Sequence, residues 1–301
     1  MTSQSILEIQ HLQKSFGRYE VLKDICFSVK QGEIIGLLGK NGSGKTTMIK
    51  SILGLLKHSG TVLFEGKPLN PNDIQAMNSI GVLVDTAFFE DMSAYDNLKI
   101  LMLSTPLRDN THLKSDITAL LSFVGLADNM HEKVKGFSFG MKQRLALSQA
   151  LISEPKLLIL DEPFVGLDPL GIVLVKEKLA ELCQKKKTSI IFSSHQLTEV
   201  AELAEDLVVI ENGYVKYFGT YADLERRNKK YRIITDKAVS PEILQELLER
   251  DIAVTAGDIQ THITLSNGEK TLDPLLRHLQ NAGYSICEIE REDHPLETLF
   301  I

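Results

Sequence analysis

Eight consecutive residues, Gly39-Lys40-Asn41-Gly42-Ser43-Gly44-Lys45-Thr46, have the types and spacing of a loop that holds a phosphate chain. Glycines let the backbone turn sharply and bring its N–H groups close to an anion. A helix beginning near Lys45 offers its positive N-terminus to the same anion. Lys45 supplies a cation for the β- and γ-phosphates of a triphosphate, and the Thr46 hydroxyl supplies an oxygen for Mg²⁺, with Thr47 following it in the first turn. A second chemical feature is the run Leu157-Leu158-Ile159-Leu160-Asp161-Glu162, an apolar stretch ending in two carboxylates. A buried strand delivers its last residues to the carboxyl edge of an α/β sheet, where sites form. Asp161 is then placed to hold Mg²⁺, directly or through water, and Glu162 to polarise an attacking water as a general base.

These residues need elements to position them, and the pattern supplies them. Glu33–Leu38 is a continuous apolar run, as expected of a buried central strand, and Thr46–Leu56 has helical spacing after the glycine-rich turn. Ser5–His11 and Ile25–Val29 read as strands, residues 94–151 mostly as helix, and Lys156–Leu160 and Ser189–Phe192 as buried strands. Gln196–Glu205 reads as a helix and Leu207–Ile210 as a strand, so strands alternate with helices in an α/β sheet of largely parallel character. Beyond the polar run Glu225–Lys230 the order is strand Tyr231–Thr235, helix Pro241–Arg250, strands Ile252–Thr255 and Gln260–Leu265, helix Leu272–Ala282 and strand Tyr284–Ile289. That is the β-α-β-β-α-β order of a ferredoxin-like unit.

Composition narrows the field. The 301 residues carry 33 Lys+Arg against 40 Asp+Glu, a net charge of -7, and 43% are hydrophobic, which is globular and not disordered. An acidic total argues against a general nucleic-acid or anionic-membrane binder. Most of that charge is C-terminal: residues 229–301 hold eight Lys+Arg against thirteen Asp+Glu, which favours solubility or a basic partner. No apolar run approaches the roughly 20 residues of a membrane-spanning helix, and Met1–Ser5 shows no secretory leader. Cys26, Cys183 and Cys287 are scattered and unpaired in pattern, which fits a reduced, cytosolic setting and three small core residues; the eight histidines show no metal-ligand spacing.

With these motifs in order, the chain resembles the nucleotide-binding subunits of ABC transporters over residues 1 to about 225. Phe137-Ser138-Phe139-Gly140-Met141-Lys142-Gln143-Arg144 is similar to the family's signature segment, and Gly166-Leu167-Asp168 to its D-loop. His195 resembles the switch histidine, and Phe16 the aromatic that stacks on adenine, with Tyr19 as the alternative. Asp85, after Ile80–Val84, holds the position of the Q-loop glutamine. The closing segment Glu288–Ile301 resembles the tail of single-domain bacitracin- or lantibiotic-type exporter ATPases.

The resemblance implies a P-loop NTPase of ABC-ATPase fold: a RecA-like core with antiparallel β and helical subdomains (residues 1–228, helical part about 86–150). A small α+β ferredoxin-like domain (229–301) follows. It implies ATP and Mg²⁺ as cofactors, with Asp85 beside Thr46 and Asp161 at the metal, and Gly39–Thr47 around the phosphates. It also implies a head-to-tail homodimer in which Ser138, Phe139, Gly140 and Met141 grip the partner's ATP. The implied partner is an integral membrane permease, most simply an exporter of drugs or peptides, reached from the cytoplasmic face; no nucleic acid is implied. Two departures stand out. Asp85 is shorter than glutamine and cannot donate a hydrogen bond when ionised, and in the signature segment Phe139 replaces a glycine and Met141 a glutamine. A soluble ATPase uncoupled from transport, and a weakly hydrolysing regulatory subunit, are the competing readings. Thr86-Ala87-Phe88-Phe89 either packs on the helical part or lines a groove for a helix of the permease. The C-terminal unit reads as a packing or dimerisation module, or as a ligand sensor.

Overall fold

The computed structural model describes residues 5–106, 108–227, 229–243, 252–256, 260–265 and 272–291. It divides into two compact units, Met1–Phe218 and Gly219–Ile301.

The first unit is built on a ten-stranded sheet. Its strands are β1 (Ser5–Phe16), β2 (Tyr19–Lys30), β3 (Ile34–Leu38), β4 (Ser59–Phe64), β5 (Lys67–Pro68), β6 (Ile80–Leu83), β7 (Leu157–Leu160), β8 (Ser189–Ser194), β9 (Asp206–Glu211) and β10 (Tyr214–Thr220), in the order β5-β4-β1-β2-β10-β9-β3-β8-β7-β6. One half is antiparallel, β1 pairing with both β2 and β4. The other is parallel, β3 pairing with β8 and β9, and β7 with β6 and β8. Every residue of β3 and β7 is buried, as continuous apolar strands require when both faces are covered. The register matters for function: Leu38 pairs with Ser194, Leu160 with Phe192 and Leu83 with Leu160. Four parallel strands therefore end at one edge, and the residues that follow them emerge together.

The helices of this unit are α1 (Lys45–Ile52), α2 (Ile74–Asn78), α3 (Ala94–Ser104), α4 (Leu113–Phe123), α5 (Phe139–Ala150), α6 (Pro169–Lys186) and α7 (Leu197–Leu203). The chain from 94 to 150 is helical in α3, α4 and α5, as its spacing indicates. The helix expected over Thr46–Leu56 stops at Ile52, because Gly54 turns left-handed at φ 70°. The first two strands run further than the short runs read from sequence. Phe16 pairs with Tyr19 across a two-residue turn, so the hairpin continues to its tip. No helix among the described residues is long and apolar enough to cross a membrane.

In the second unit, strands β11 (Lys229–Thr235), β12 (Ile252–Ala256), β13 (Gln260–Leu265) and β14 (Ile286–Arg291) lie in the order β12-β13-β11-β14, each neighbouring pair antiparallel. This is the ferredoxin-like strand order. A helix over Leu272–Asn281 buries Leu275 and Leu279 in a small core with Ile233, Val239 and Tyr284. The unit also takes in the helix Tyr221–Arg227. The helix expected over Pro241–Arg250 lies outside the described residues beyond Ile243, as does the segment 292–301 of the expected tail.

One expectation is corrected. Cys183 is buried on α6, but Cys26 and Cys287 are exposed and do not fill core positions. Strand alternation is the reason: Ile25 and Phe27 turn inward, so Cys26 between them turns out.

Candidate functional site

The loop after β3 is shaped by its glycines. Gly44 is the N-cap of α1 at φ 106°, a conformation that costs a side-chain-bearing residue on the order of 1–2 kcal/mol. It caps without a side chain and α1 has no acidic residue in its first turn, so the N-terminal amides stay available to an anion. Ser43 Oγ is buried and has no hydrogen-bond partner among the described residues. A buried hydroxyl left without a partner suits a phosphate oxygen. Val21, Asn41, Gly42, Gly44, Lys45 and Thr46 line the cavity in front of the loop, with Glu162 opposite.

Lys45 is 6% exposed, and its ammonium donates to Gly39 O at 2.7 Å. The same ammonium lies 3.5 Å from Glu162 Oε1, while His195 Nδ1 lies 2.9 Å from Glu162 Oε2. Both oxygens of this carboxylate are thus addressed. Its backbone is held as well: Glu162 N donates to Ser193 Oγ at 2.8 Å, and Glu162 O accepts from Gln143 Nε2 at 3.1 Å. Glu162 adopts φ 47°, a left-handed conformation uncommon outside glycine and concentrated at functional sites.

Asp161 receives two hydroxyl hydrogens, from Thr46 Oγ1 at 2.6 Å and from Ser193 Oγ at 2.6 Å. Thr46 spends its only hydrogen on Asp161, which leaves its oxygen lone pairs free. A hydroxyl oxygen and a carboxylate side by side are hard donors of the kind that Mg²⁺ takes, with waters completing its shell. The structure thus brings together the phosphate loop, Asp161, Glu162 and His195 from the ends of β3, β7 and β8. Ser193 and Gln143 were missed from sequence. Ser193 was legible in principle, as the residue that carries β8 on beyond Phe192 towards His195.

Asp85 stands apart from this group. It follows β6 at φ 45° and pairs with Lys50 Nζ at 2.5 Å, with its side chain 73% exposed. It lines a neighbouring cavity with Phe88, Phe139, Asp161 and Glu162. No hydrogen bond or ion pair among the described residues joins it to Thr46, Asp161 or Glu162. Phe16, half-exposed at the hairpin tip, has Lys14 Nζ 4.7 Å from its ring centre; Tyr19 beside it is more exposed. In the 86–89 loop, Phe89 is exposed while its backbone N–H and C=O are both bonded to the buried Asn97 side chain.

The signature segment starts a helix. Ser138 is the N-cap of α5, its Oγ accepting from Met141 N at 3.2 Å. Asp168 does the same for α6, accepting from Gly171 N at 3.0 Å ahead of Pro169. Between them, the Phe139 ring packs on Gly166. A Cβ at 166 would meet Phe139 Cδ1 at 2.0 Å, and Gly166 sits at φ 75°. Gly166→Ala is therefore expected to expel the Phe139 ring and lower stability by about 1–3 kcal/mol, read as a lower melting temperature.

Behind the site, α7 carries Glu199, which accepts from Ser194 Oγ at 2.5 Å. Burial raises the Glu199 carboxyl above its ordinary value of 4.5, against the pull of Ser194, Lys176 and His195; nearby Glu162 adds to the rise. A folded state that binds this proton more tightly than the unfolded chain loses stability as pH climbs from 4.5 through the raised value. Glu199→Gln keeps an acceptor for Ser194 and cannot ionise. Denaturation curves are expected to show its advantage over the parent chain growing as pH rises through that window, and absent below it.

Residues 22–165 match the ABC transporter family. The bacitracin transport ATP-binding protein BcrA of Enterococcus faecalis is 32% identical over 305 residues, covering 100% of this chain and 96% of its own length. The lantibiotic transport ATP-binding protein SrtF of Streptococcus pyogenes is 38% identical over 211 residues, 70% of this chain and 89% of its own. Among solved structures, an ATP-binding subunit of an ABC transporter superposes with a TM-score of 0.66 at 32% identity, covering 74% of this chain and 92% of that one. A phosphate loop, an acidic strand end and a capped signature helix on this frame, with relatives alike along the whole chain, lead to one conclusion: the chain belongs to the ATP-binding proteins of the ABC transporter family.

Proposed function

We propose that this chain hydrolyses ATP to power a separate integral membrane permease, and that the permease exports drugs, peptides or similar compounds. The observation that carries the hydrolytic part is the meeting of Lys45, Thr46, Asp161, Glu162 and His195 at one sheet edge. The relatives that transport bacitracin and lantibiotics support the export part.

In this reading the amides of Gly39–Thr46 and the Ser43 hydroxyl hold the phosphates, Thr47 extends the cradle, and Lys45 neutralises their charge. Thr46 and Asp161 hold Mg²⁺, which when bound offsets charge on the phosphate oxygens. Asp85 joins them only by leaving Lys50. Glu162 takes a proton from the attacking water, whose oxygen bonds the γ-phosphorus as the bond to ADP breaks; the proton then passes to solvent. Lys45 and His195 hold the two oxygens of Glu162 in place, and the second ring nitrogen of His195 senses the γ-phosphate. Phe16 stacks on the adenine.

A second copy of the chain completes each site. Ser138 accepts from its own helix, so its hydrogen is free to donate to the partner's γ-phosphate, alongside the N-terminus of α5 at Phe139, Gly140 and Met141. Asp168 caps α6 behind the Gly166-Leu167 turn. Closure on ATP and opening after hydrolysis drive the permease from the cytoplasmic face.

Purification of the tagged full chain from solubilised membranes of its own host tests this. An integral membrane protein is expected to co-purify in a complex that hydrolyses ATP. Recovery with ribosomes or DNA and no membrane protein would overturn the proposal in favour of a soluble ATPase. ATP binding without phosphate release by the membrane complex would make it a regulatory subunit.

A further inference from the structure

We propose that His11, Asp24 and Cys26 form a binding site for a single borderline-soft divalent cation of the zinc class, on the outer face of the antiparallel half of the sheet. His11 is distant in sequence from Asp24 and Cys26 but adjacent to them in space. Asp24 and Cys26 are two residues apart on β2 and share its exposed face, because Ile25 and Phe27 occupy the buried one. His11 comes from β1, where the pairing with β2 shifts between Ile9 and Leu12. His11 sits in that irregularity at φ 52°, and a bulge of this kind re-aims a side chain. Here it carries the imidazole to the two residues of β2.

The distances fit one ion. His11 Nδ1 is 2.9 Å from Asp24 Oδ1 and 3.7 Å from Cys26 Sγ, and Cys26 Sγ is 3.6 Å from Asp24 Oδ1. Tetrahedral zinc, with Zn–S of about 2.3 Å and Zn–N and Zn–O of about 2.0 Å, separates such ligand atoms by about 3.3–3.6 Å. Only the nitrogen–oxygen pair must open, by a few tenths of an ångström, for all three to share an ion. Among the described residues this is the one group of three or more His, Cys, Asp or Glu whose ligand atoms converge in this way.

The donor set selects the ion. A thiolate, an imidazole and one carboxylate suit zinc and its neighbours and disfavour Mg²⁺ or Ca²⁺, which take oxygen ligands. The amide of His11 donates to Cys26 Sγ at 3.1 Å, the outer-shell support that a metal thiolate uses. Three protein ligands leave the fourth position to water. A nucleophilic Cys–His–Asp relay is excluded by the geometry: the same nitrogen, Nδ1, faces both Asp24 and Cys26, so the carboxylate cannot orient the ring from its far side. On binding, the Cys26 S–H bond breaks, a sulfur–metal bond forms, and the proton leaves to solvent.

The test uses the full chain without nucleotide, so that phosphate oxygens do not compete. Zn²⁺ is titrated against a chromophoric chelator, and Co²⁺ serves as the spectroscopic probe. One equivalent should bind, with a thiolate-to-cobalt charge-transfer band and release of protons on binding, since metal ligation displaces the thiol proton. Cys26→Ser should abolish the band, and His11→Ala should weaken Zn²⁺ affinity by about tenfold or more. Cys183→Ser and Cys287→Ser should leave both unchanged. The side chains replaced at 11 and 26 are exposed, so the metal-free variants should melt as the parent does, which separates lost ligation from lost folding. Survival of the band in Cys26→Ser, unchanged affinity in His11→Ala, or failure of the parent chain to take Zn²⁺ from the chelator would each overturn the proposal.

Discussion

Replacing Glu162 with Gln lowers steady-state ATP hydrolysis by about 10²-fold or more and leaves ATP binding within a few-fold. The substitution preserves shape. The new amide can keep an oxygen towards Lys45, and the backbone contacts to Ser193 and Gln143 involve no side-chain atom at position 162. What the amide cannot do is accept a proton from water. Phosphate-release assays on the parent and variant, with nucleotide binding measured alongside, separate the two effects; equal turnover would remove Glu162 as the base.

The second large effect is expected at Lys45. Its ammonium is buried and tied to Gly39 O, and the residue lines the cavity at the glycine-rich loop. A charge-assisted hydrogen bond is worth about 1.5–3 kcal/mol, so Lys45→Ala should weaken ATP binding by about 10- to 10²-fold. Binding is measured by titration with a fluorescent ATP analogue in the absence of Mg²⁺. The variant also frees Gly39 O and removes a cation from Glu162, so its nucleotide-free melting curve must be recorded. A weakening below about threefold in a chain that melts normally would mean that Lys45 does not face the phosphates.

The sequence was most transparent where a chemical requirement and an element coincide. A glycine-rich turn after an apolar strand, and two carboxylates after another, are local patterns, and the parallel register of β3, β7 and β8 brings their ends together without further instruction. The C-terminal strand order followed from counting elements. Legibility failed where position depends on a partner strand. Cys26 looked like a core residue until the structure showed Ile25 and Phe27 turned inward, which sends it outward. The pairing of β1 with β2, with its irregularity at His11, brings that histidine to Asp24 and Cys26, a meeting that no spacing rule gives. Ser193 was hidden differently: its role comes from lying between Asp161 and Glu162, a contact across strands. Asp85 illustrates the reverse, a residue whose place at a strand end was legible while its attachment to Lys50 on α1 was not.

The packing of Phe139 on Gly166 makes two positions answer to each other under selection. A side chain at 166 meets a ring only while residue 139 is an aromatic packed there, and an aromatic at 139 keeps that seat only while 166 has no side chain. Changes at the two should therefore be non-additive, the Phe139→Gly, Gly166→Ala pair costing less than the sum of its parts. A lineage that acquired the bulky residue in its signature segment would from then on be bound to keep the glycine of the following loop.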